Sequence, residues 1–271
     1  MDTLKNIKFL TALTLNNIKT YRTKPYLTNS QEIEENSIYW YGHATTIINI
    51  EGKLILTDPV ITKNLGYFKR QAEIPMDITN LKFDYILLSH GHMDHLNFSS
   101  LKKLNKDAVI IVPKGYKRLI SLLGYKNVHV IRHNETYKDS YLTIKSFEAN
   151  HDGRRYYLGI DNESHSFLIN GKTKKVFFAG DTAYTEAFKG ISSDVALLPV
   201  GCYKPERFSK MHCNPEESYK MFKMMDCPLM IPIHYKTFIL SLENFDETIT
   251  SLKSLNDNTI NVLHIGEVSK F

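Results

Sequence analysis

The chain of 271 residues is long enough to bury a sizeable core, as one domain or as one domain with a small extension. Its hydrophobic content of 42% and charged content of 23% are those of a soluble globular protein, and no segment approaches the run of about 18 apolar residues that a membrane span requires. The net charge of +5 comes from 34 Lys and Arg residues spread along the chain, so the composition neither requires nor excludes an anionic substrate or a membrane surface.

Cysteine usage argues against a disulfide framework, because the number is odd and no CxxC pair occurs. Cys202, Cys213 and Cys227 are therefore predicted to be free thiols of a protein in a reducing cytosol. Polar residues interrupt positions 4–20, which excludes the continuous apolar stretch of a signal peptide. We expect a cytoplasmic protein.

Residues 1–36 are predicted to be a helical extension with a polar linker, followed by a main domain of residues 37–271. One face of the helix carries four aliphatic residues, Leu4, Ile7, Leu15 and Ile18, and is interrupted by Thr11. Phe9, Leu10 and Leu13 lie elsewhere, so the amphipathic pattern is mixed. We expect this helix to pack on the main domain, and peripheral contact with a membrane surface is the alternative.

From Ser37 onwards the pattern becomes rich in strands. The stretch SIYWYGHATTIINIEGKLILTDP predicts successive strands with a hairpin turn at Glu51-Gly52. FDYILLS and DAVIIVP are apolar runs typical of buried strands, and KGYKRLISLLG predicts a helix that ends at Gly124.

The second half of the chain repeats this alternation. Strands are predicted in YLTIKSFEAN, RRYYLGI, HSFLI, KVFFAGD, DVALLPVG, PLMIPIH and INVLHIG, with a hairpin turn at Asn170-Gly171. Asn214 and Glu217 predict a capping box at the start of one helix, and a second helix is expected around Leu242–Leu252. Such an order favours mixed sheets covered by helices on their outer faces.

Three histidines and an aspartate follow the strand FDYILLS within six positions, in the order H-x-H-x-D-H. They are His90, His92, Asp94 and His95. Imidazole nitrogens and carboxylate oxygens are good ligands for a borderline cation such as zinc. A single histidine is usually structural, but this density at the end of a strand predicts a metal site.

One loop cannot complete two metal sites, so further ligands are expected at the ends of other strands. His151 follows YLTIKSFEAN, Asp181 follows KVFFAG, and His234 follows PLMIPI. Together with the four residues of the loop they make seven ligands, enough for two metal ions that share a carboxylate.

These residues resemble the pattern of the metallo-β-lactamase-fold hydrolases. YWYGHATTIINIEGKLILTDP, SHGHMDHL, FFAGDTAYTEAF, LLPVGCYKPERFSKMHCNPEES and IPIHYKTF are similar to the branch of N-acylphosphatidylethanolamine-hydrolysing phospholipase D, and ascorbate-6-phosphate lactonases share parts of the pattern. The likeness runs from about Ser37 to the C-terminus. It implies an α/β fold, a four-layer αβ/βα sandwich with the site at one edge.

The resemblance also implies roles for individual residues. His90, His92 and His151 would hold the first metal ion; Asp94, His95 and His234 would hold the second, with Asp181 between them. The cofactor implied is two Zn²⁺ ions, with Mn²⁺ or Fe²⁺ as alternatives, and a hydroxide bridging the two metals would be the nucleophile. Asp94 is also a candidate for orienting that hydroxide.

Two further histidines are catalytic candidates. His43, in YGHATT, is expected either to contact the substrate or to brace a metal ligand, or to be a hydrogen-bonded turn residue. His212, in SKMHCNP, matches a histidine beside the catalytic site of the phospholipase relatives, as a substrate contact or a proton donor, although the local alignment is one residue shorter.

Other polar residues are weighed against structural roles. Arg154, Arg155 and Arg207 are candidates for gripping a phosphate or for ordinary surface positions, and Tyr203 for lining the pocket or packing. Cys202 is expected to be an inert thiol. Structural roles are predicted for the remaining histidines: His129, His133, His165 and His264.

Three functions remain open at this level. The first is a dinuclear zinc hydrolase that cleaves a phosphodiester, as in N-acylphosphatidylethanolamine. The second is a lactonase or a hydrolase of a small soluble anionic ester, and the third is a non-catalytic metal-binding or sensing protein. The partner is expected to be a small-molecule or lipid substrate and not a nucleic acid, because no basic cluster is present. A homodimer and contact of residues 1–36 with the inner membrane surface are left open.

Overall fold

The computed structural model describes residues 3–155 and 163–271. The predicted strand RRYYLGI lies largely outside this range. The helices are α1 Thr3–Thr20, α2 Phe98–Lys103, α3 Lys117–Leu122, α4 Pro215–Met224 and α5 Phe245–Leu255, and a short 3-10 helix spans Glu206–Lys210.

The starts of α4 and α5 are set by asparagine caps. The Asn214 side chain accepts a hydrogen bond from the backbone N–H of Glu217 at 2.8 Å, and the Glu217 carboxylate accepts one from the backbone N–H of Asn214 at 3.1 Å. The predicted capping box is thereby confirmed. Asn244 caps α5, so this helix begins at Phe245 and not at the predicted Leu242.

Fifteen strands are present in the described part of the chain. They are β1 Ser37–Gly42, β2 Thr45–Ile50, β3 Lys53–Thr57, β4 Asn64–Leu65, β5 Phe68–Lys69, β6 Tyr85–Leu87, β7 Val109–Val112, β8 Val128–Val130, β9 Thr136–Lys138, β10 Thr143–Glu148, β11 His165–Asn170, β12 Lys175–Phe178, β13 Val195–Pro199, β14 Met230–Ile233 and β15 Val268–Lys270.

Two mixed sheets contain most of these strands. The first sheet has the order β15-β1-β2-β3-β6-β7-β8, in which β3, β6, β7 and β8 are parallel. The second has the order β14-β13-β12-β11-β10-β9, in which β12, β13 and β14 are parallel. Strands β4 and β5 form a separate small hairpin. The carboxyl ends of the parallel strands meet at one edge of each sheet, which is where ligands are expected in such sheets.

The core lies between the two sheets and beneath the helices. Inward-facing residues of the first sheet, such as Trp40 and Ile111, share one buried cluster with Phe167 and Leu197 of the second sheet. The outer face of the first sheet is covered by α2 and α3, and that of the second sheet by α4 and α5. This is the predicted four-layer αβ/βα sandwich.

Two turn predictions have different outcomes. The turn at Glu51-Gly52 joins β2 to β3 as predicted, and both residues have positive φ, as a tight two-residue turn requires. The hairpin between β11 and β12 also exists, but its loop spans residues 171–174, closed by a hydrogen bond from the backbone N–H of Gly171 to the carbonyl of Lys174. Asn170 is the last residue of β11 and not a turn residue.

The predicted final strand INVLHIG is wrong. Ile260 forms only a single bridge with Met230, and the strand at this end of the chain is β15, after the turn at Gly266. Leu263 and Ile265 are buried without strand pairing, so their apolar spacing reflects core contacts of an irregular segment. Apolar alternation alone does not distinguish this case from a strand.

Helix α1 packs on the rest of the molecule through one face, on which Phe9, Leu13, Asn17 and Thr20 are buried. No helix in the described ranges has the length and apolar character needed to cross a bilayer. The predicted boundary at residue 36 stays a prediction.

Candidate metal centre

The residues of the site lie directly after the carboxyl ends of strands from both sheets. His43 follows β1, and His90 follows β6. His151, Asp181 and His234 follow β10, β12 and β14 of the second sheet. Because these strand ends meet at one edge of the sandwich, residues as far apart in the sequence as His43 and His234 converge there.

One group of side chains consists of His90, His92 and His151, whose ligand atoms lie within 4.8 Å of one another. His151 Nε2 lies 3.1 Å from His92 Nδ1. The other nitrogen of His151 donates to the carbonyl of Met211 at 2.8 Å, which holds the ring in place. His90 Nδ1 lies 2.9 Å from the Ser89 hydroxyl. These contacts leave three imidazole edges facing a common point.

A second group contains Asp94, His95 and His234, joined by His43. Asp94 Oδ2 lies 3.6 Å from His95 Nε2 and 3.5 Å from His234 Nε2. Asp181 lies between the two groups, with Oδ2 at 3.1 Å from His95 Nε2 and at 4.0 Å from His90 Nε2. Its Oδ1 is 3.0 Å from His234 Nε2. Both oxygens of Asp181 are therefore close to the second group, and Oδ2 also faces His90 of the first group.

The donor set fits a metal ion, since several of its polar atoms are buried and have no hydrogen-bond partner among the described residues. These atoms are His90 Nε2, His95 Nε2, His234 Nε2 and both carboxylate oxygens of Asp181. Buried polar atoms without a partner are costly, and convergent imidazole and carboxylate groups are the usual ligands of zinc. The seven predicted ligands therefore lie in one cluster that could hold metal, and their assignment as ligands stays a prediction.

The electrostatics also favour a cation. Burial opposes the charge on Asp181, but His234 and His95 beside it hold the pKa of its carboxyl well below the usual range. Burial likewise opposes charge on His95, but the carboxylates of Asp181, Asp94 and Asp58 raise its pKa well above the ordinary value. Positive charge is therefore stabilised at the centre of the cluster.

His90 and His151 lie further from the carboxylates and behave differently. Burial lowers the pKa of His151 to about 4, and burial together with the neighbouring histidines lowers the pKa of His90 well below the ordinary value. Both rings are neutral near pH 7, which is the form that binds a metal.

His43 sits in a strained turn against the second group. Its φ is 57°, its carbonyl accepts from the backbone N–H of His234 at 3.0 Å, and its Nε2 lies 2.9 Å from Asp94 Oδ2. Burial lowers its pKa to about 4, so a neutral His43 donates this hydrogen bond to the Asp94 carboxylate. Of the predicted alternatives, this contact favours bracing of a ligand, with His43 itself within ligand distance of the same group.

His212 lies at the wall of a cavity of about 240 Å³ that opens over the cluster. Its Nδ1 is 3.5 Å from Asp181 Oδ2. The floor of the cavity includes His92, Asp94 and Asp181. Its walls are largely apolar: Leu65, Phe68, Met93, Phe208, Met211 and Leu240.

The structure places all nine residues that the sequence singled out in this cluster, and their individual roles stay predictions. The other candidates lie outside it. Arg154 forms a salt bridge with Asp152. Arg155 donates hydrogen bonds from Nη1 to the carbonyls of Gly91 and Leu96. Arg207 stacks over the rings of Phe9 and Phe208.

Tyr203 hydrogen-bonds Thr248 and does not line the cavity. Cys202 does line it, and burial raises the pKa of this thiol to about 11, which keeps it protonated.

One contact residue was missed by the sequence reasoning. Asp58 is fully buried and accepts hydrogen bonds from His95 Nδ1, the Ser89 hydroxyl and the Ser89 backbone N–H, at 2.6–2.7 Å. The signal was present in LILTDP, where an aspartate directly follows an apolar strand, as it does at Asp181. The apolar walls from the β4–β5 hairpin carried no such signal, because strands of two residues show no periodicity.

The sandwich with a histidine and aspartate cluster at its edge defines the class of metal-dependent hydrolases with this fold. A family model described as beta-lactamase superfamily domain matches residues 53–235. The chain belongs to the metallo-β-lactamase superfamily.

The chain is similar to several individual proteins of known sequence or structure. It is 35% identical over 80% of its length to a mitochondrial N-acyl-phosphatidylethanolamine-hydrolyzing phospholipase D of Saccharomyces cerevisiae, but it spans only 51% of that protein. It is 30% identical over 85% of its length to a metal-dependent hydrolase of Flavobacterium johnsoniae and spans 97% of it. Among solved structures, a possible metal-dependent hydrolase from Veillonella parvula matches with a TM-score of 0.72 at 15% identity, over 88% of this chain and 100% of that one, which shows the common fold.

Proposed function

We propose that this protein is a dinuclear zinc hydrolase that cleaves the phosphodiester of an N-acylated phosphatidylethanolamine. The observation that carries the proposal is the position of the histidine and aspartate cluster at the floor of a cavity whose walls are apolar. Such a cavity suits a substrate with a charged phosphoryl group next to hydrocarbon. The name of the yeast relative, together with its identity of 35%, supports the same substrate class.

In this proposal His90, His92 and His151 hold one metal ion, and Asp94, His95 and His234 hold the other, with Asp181 shared. When bound, such a pair of ions polarises a phosphoryl oxygen and lowers the pKa of a nearby water molecule towards about 7. The residues of the chain keep this arrangement rigid. Asp58 holds His95 and the carbonyl of Met211 holds His151, so neither ring has to be ordered when the substrate arrives.

Asp94 and His43 are proposed to act as a pair. The neutral His43 donates from Nε2 to Asp94 and fixes the direction of the carboxylate, so that the ionised Asp94 is placed to accept a hydrogen bond from the attacking water and orient it. Asp94 is also held in this form by its neighbours: burial opposes its charge, but His95, His234 and His43 lower the pKa of its carboxyl well below the usual range.

His212 is proposed to contact the phosphoryl group. It lines the cavity beside Asp181, and burial lowers its pKa well below the ordinary value, so a neutral ring with one N–H donor faces the substrate. The walls formed by Phe68, Phe208 and Leu240 are proposed to receive the beginning of an acyl chain.

A second candidate is hydrolysis of a small soluble anionic ester or lactone at the same centre. The volume of the cavity, about 240 Å³, favours it, because typical pockets for drug-sized ligands measure about 300–1,000 Å³. A lipid would place only its headgroup and the adjacent carbons inside.

The test is to incubate the zinc-loaded protein with vesicles that contain N-acylphosphatidylethanolamine and to follow the products by mass spectrometry. We expect phosphatidic acid and N-acylethanolamine from the native protein and none from His92→Ala. The matched control is His129→Ala, since this histidine is exposed on β8 and should leave turnover unchanged.

Absence of lipid turnover by a protein that binds two equivalents of zinc would contradict the phospholipid substrate. Turnover of a lactone or a soluble phosphoester by that same preparation would establish the second candidate. Activity retained in His92→Ala would remove the assignment of the metal site.

A further inference from the structure

Helix α1 contacts the three segments of chain that wall the cavity. Phe9 packs edge-on against Phe208 of the 3-10 helix, with ring centroids 5.1 Å apart. The Asn17 side chain donates to the carbonyl of Ile239, next to Leu240, at 2.9 Å. The end of the helix is tied to the β4–β5 hairpin, because Lys69 Nζ donates to the carbonyl of Thr20 at 2.9 Å. The helix therefore lies against the outside of the cavity walls.

The opposite face of α1 is apolar and open to solvent. Leu4, Ile7, Leu15 and Ile18, here called the outer stripe, are 52–60% exposed. At 3.6 residues per turn they fall within an arc of about 80° that points away from the docked face. Leu10 adds a further 55% exposed side chain near its edge. Thr11 lies within the same arc and interrupts the outer stripe. Scattered exposed aliphatic residues are ordinary, but four on one face of a helix that already buries another face mark a contact surface.

The charged side chains within α1 itself are all lysines. Lys5, Lys8 and Lys19 are exposed on the flank of α1, and residues 3–20 contain no aspartate or glutamate. An apolar face bordered by lysines is the pattern of a helix that lies in the surface of an anionic membrane. Each such lysine near the headgroups adds electrostatic attraction.

A second copy of the chain suits this surface less well. Two α1 helices paired through their outer stripes would bring Lys8 and Lys19 of one copy towards the same lysines of the other, and residues 3–20 offer no acidic side chain across such a contact. Anionic phospholipid headgroups would supply the opposite charge.

We infer that the outer stripe of α1 docks the protein on the surface of a bilayer containing anionic phospholipid. The docked face of α1 is held by the walls of the cavity, so the bilayer would lie about one helix diameter, roughly 10 Å, from the cavity mouth. This inference deepens the proposed function and rests on it for its purpose, because it names the membrane as the place from which a lipid substrate is taken.

The exposed aromatic residues at the end of α1 extend the same surface. Tyr21 and Tyr67 are 54% and 48% exposed, and the Tyr21 hydroxyl donates to the carbonyl of Tyr67 at 2.8 Å. Tyr67 stacks on Phe68, a residue of the cavity wall, with ring centroids 4.1 Å apart. Tyrosine is favoured at the interface between lipid and water, so these rings mark the depth at which the surface would sit.

The test is co-sedimentation of the full chain with vesicles of phosphatidylcholine, with and without phosphatidylglycerol. We expect the native protein to bind the vesicles that contain phosphatidylglycerol and to lose at least about tenfold in partition coefficient in Ile7→Gln/Ile18→Gln, because two apolar side chains would no longer leave water. The double variant Lys8→Gln/Lys19→Gln should weaken binding only to the anionic vesicles. Leu122→Gln on α3 is the matched control, because Leu122 is likewise an exposed aliphatic residue, with 75% of its surface exposed. This variant should bind vesicles like the native protein.

Vesicle binding is measured without turnover, so its failure is distinct from failure of the proposed hydrolysis. Equal binding by the native protein and Ile7→Gln/Ile18→Gln, or no binding by either, would overturn the inference. Circular dichroism of the variants establishes that a lost signal is not lost folding. A native dimer that Ile7→Gln/Ile18→Gln converts to a monomer, without vesicle binding, would assign the outer stripe to a second copy and would also overturn it.

Discussion

Asp58 Oδ2 accepts a hydrogen bond from His95 Nδ1 at 2.7 Å, and both side chains are fully buried. This contact fixes which nitrogen of His95 carries the proton and turns Nε2 towards Asp181. A histidine held in this way is a stronger metal ligand than one that must be oriented on binding.

Replacing Asp58 should therefore weaken the metal centre without touching a ligand. We expect Asp58→Asn to lower zinc affinity about 10- to 100-fold, the usual effect of losing a carboxylate behind a ligating histidine. Competition with a chromophoric chelator measures this. Asp84→Asn, a partly exposed carboxylate that binds Lys53 away from the site, is the control. Unchanged zinc affinity in Asp58→Asn would mean that the contact has no part in metal binding.

A variant of His43 distinguishes two roles of this residue: positioning the Asp94 carboxylate, or binding a metal ion directly. Since its Nε2 hydrogen-bonds Asp94, we expect His43→Ala to keep two metal equivalents per chain and to lower kcat about 10- to 100-fold. Metal analysis and steady-state kinetics on one preparation measure both quantities. Loss of one metal equivalent would instead identify His43 as a ligand, which its place in the group with His95 and His234 allows.

Removal of the metal should destabilise the fold at the edge of the sandwich. A ligand present at about 100 times its dissociation constant stabilises the native state by about 2.7 kcal/mol. For a chain of this size we expect chelation to lower Tm by about 5–10 °C, measured by differential scanning calorimetry. His92→Ala should show a smaller shift on chelation. Equal shifts in both proteins would place the stabilising ion elsewhere.

Glu51 links the two sheets by a contact that depends on pH. Its carboxylate accepts hydrogen bonds from the backbone N–H groups of Lys172 at 2.8 Å and Thr173 at 2.6 Å, which lower its pKa from 4.5 to about 2. A depressed pKa means that the stabilisation is fully present above about pH 4.5 and is lost as the pH falls towards about 2. We expect Glu51→Gln to melt below the native protein near neutral pH, with the difference vanishing near pH 2.

Thermal melts across this pH range provide the measurement. Glu186→Gln, an exposed glutamate elsewhere on the surface, serves as the control and should melt like the native protein throughout. A difference between native protein and Glu51→Gln that stays constant with pH would show that the carboxylate charge is not what stabilises the loop.

Most strands and the residues of the histidine and aspartate cluster could be predicted because their signals are local. His90, His92, Asp94 and His95 lie within one loop, and the other ligands each follow an apolar run, so strand ends could be recognised without knowing which strands are neighbours. The segment around Leu263 was mistaken for a strand because burial in an irregular segment leaves the same apolar spacing.

The N-terminal helix shows the limit of such reasoning most clearly. Its existence followed from the sequence, but the aliphatic face that the spacing suggested is exposed, while Phe9 and Leu13 are buried against the domain. Which face packs depends on the shape of the surface that receives it, here the ring of Phe208 and the carbonyl of Ile239. That surface is built from residues about 200 positions away.

The sequence by itself determined the class of fold and the cluster of strand-terminal histidines and aspartates that could hold metal, because residue type and hydrophobic periodicity are properties of short segments. Only the tertiary structure decided that Asp58 contacts His95, that the β4–β5 hairpin walls the cavity and that α1 packs against Phe208 of that wall. Those relationships are distances between segments remote in the chain. They arise from packing of the two sheets, which no local pattern records.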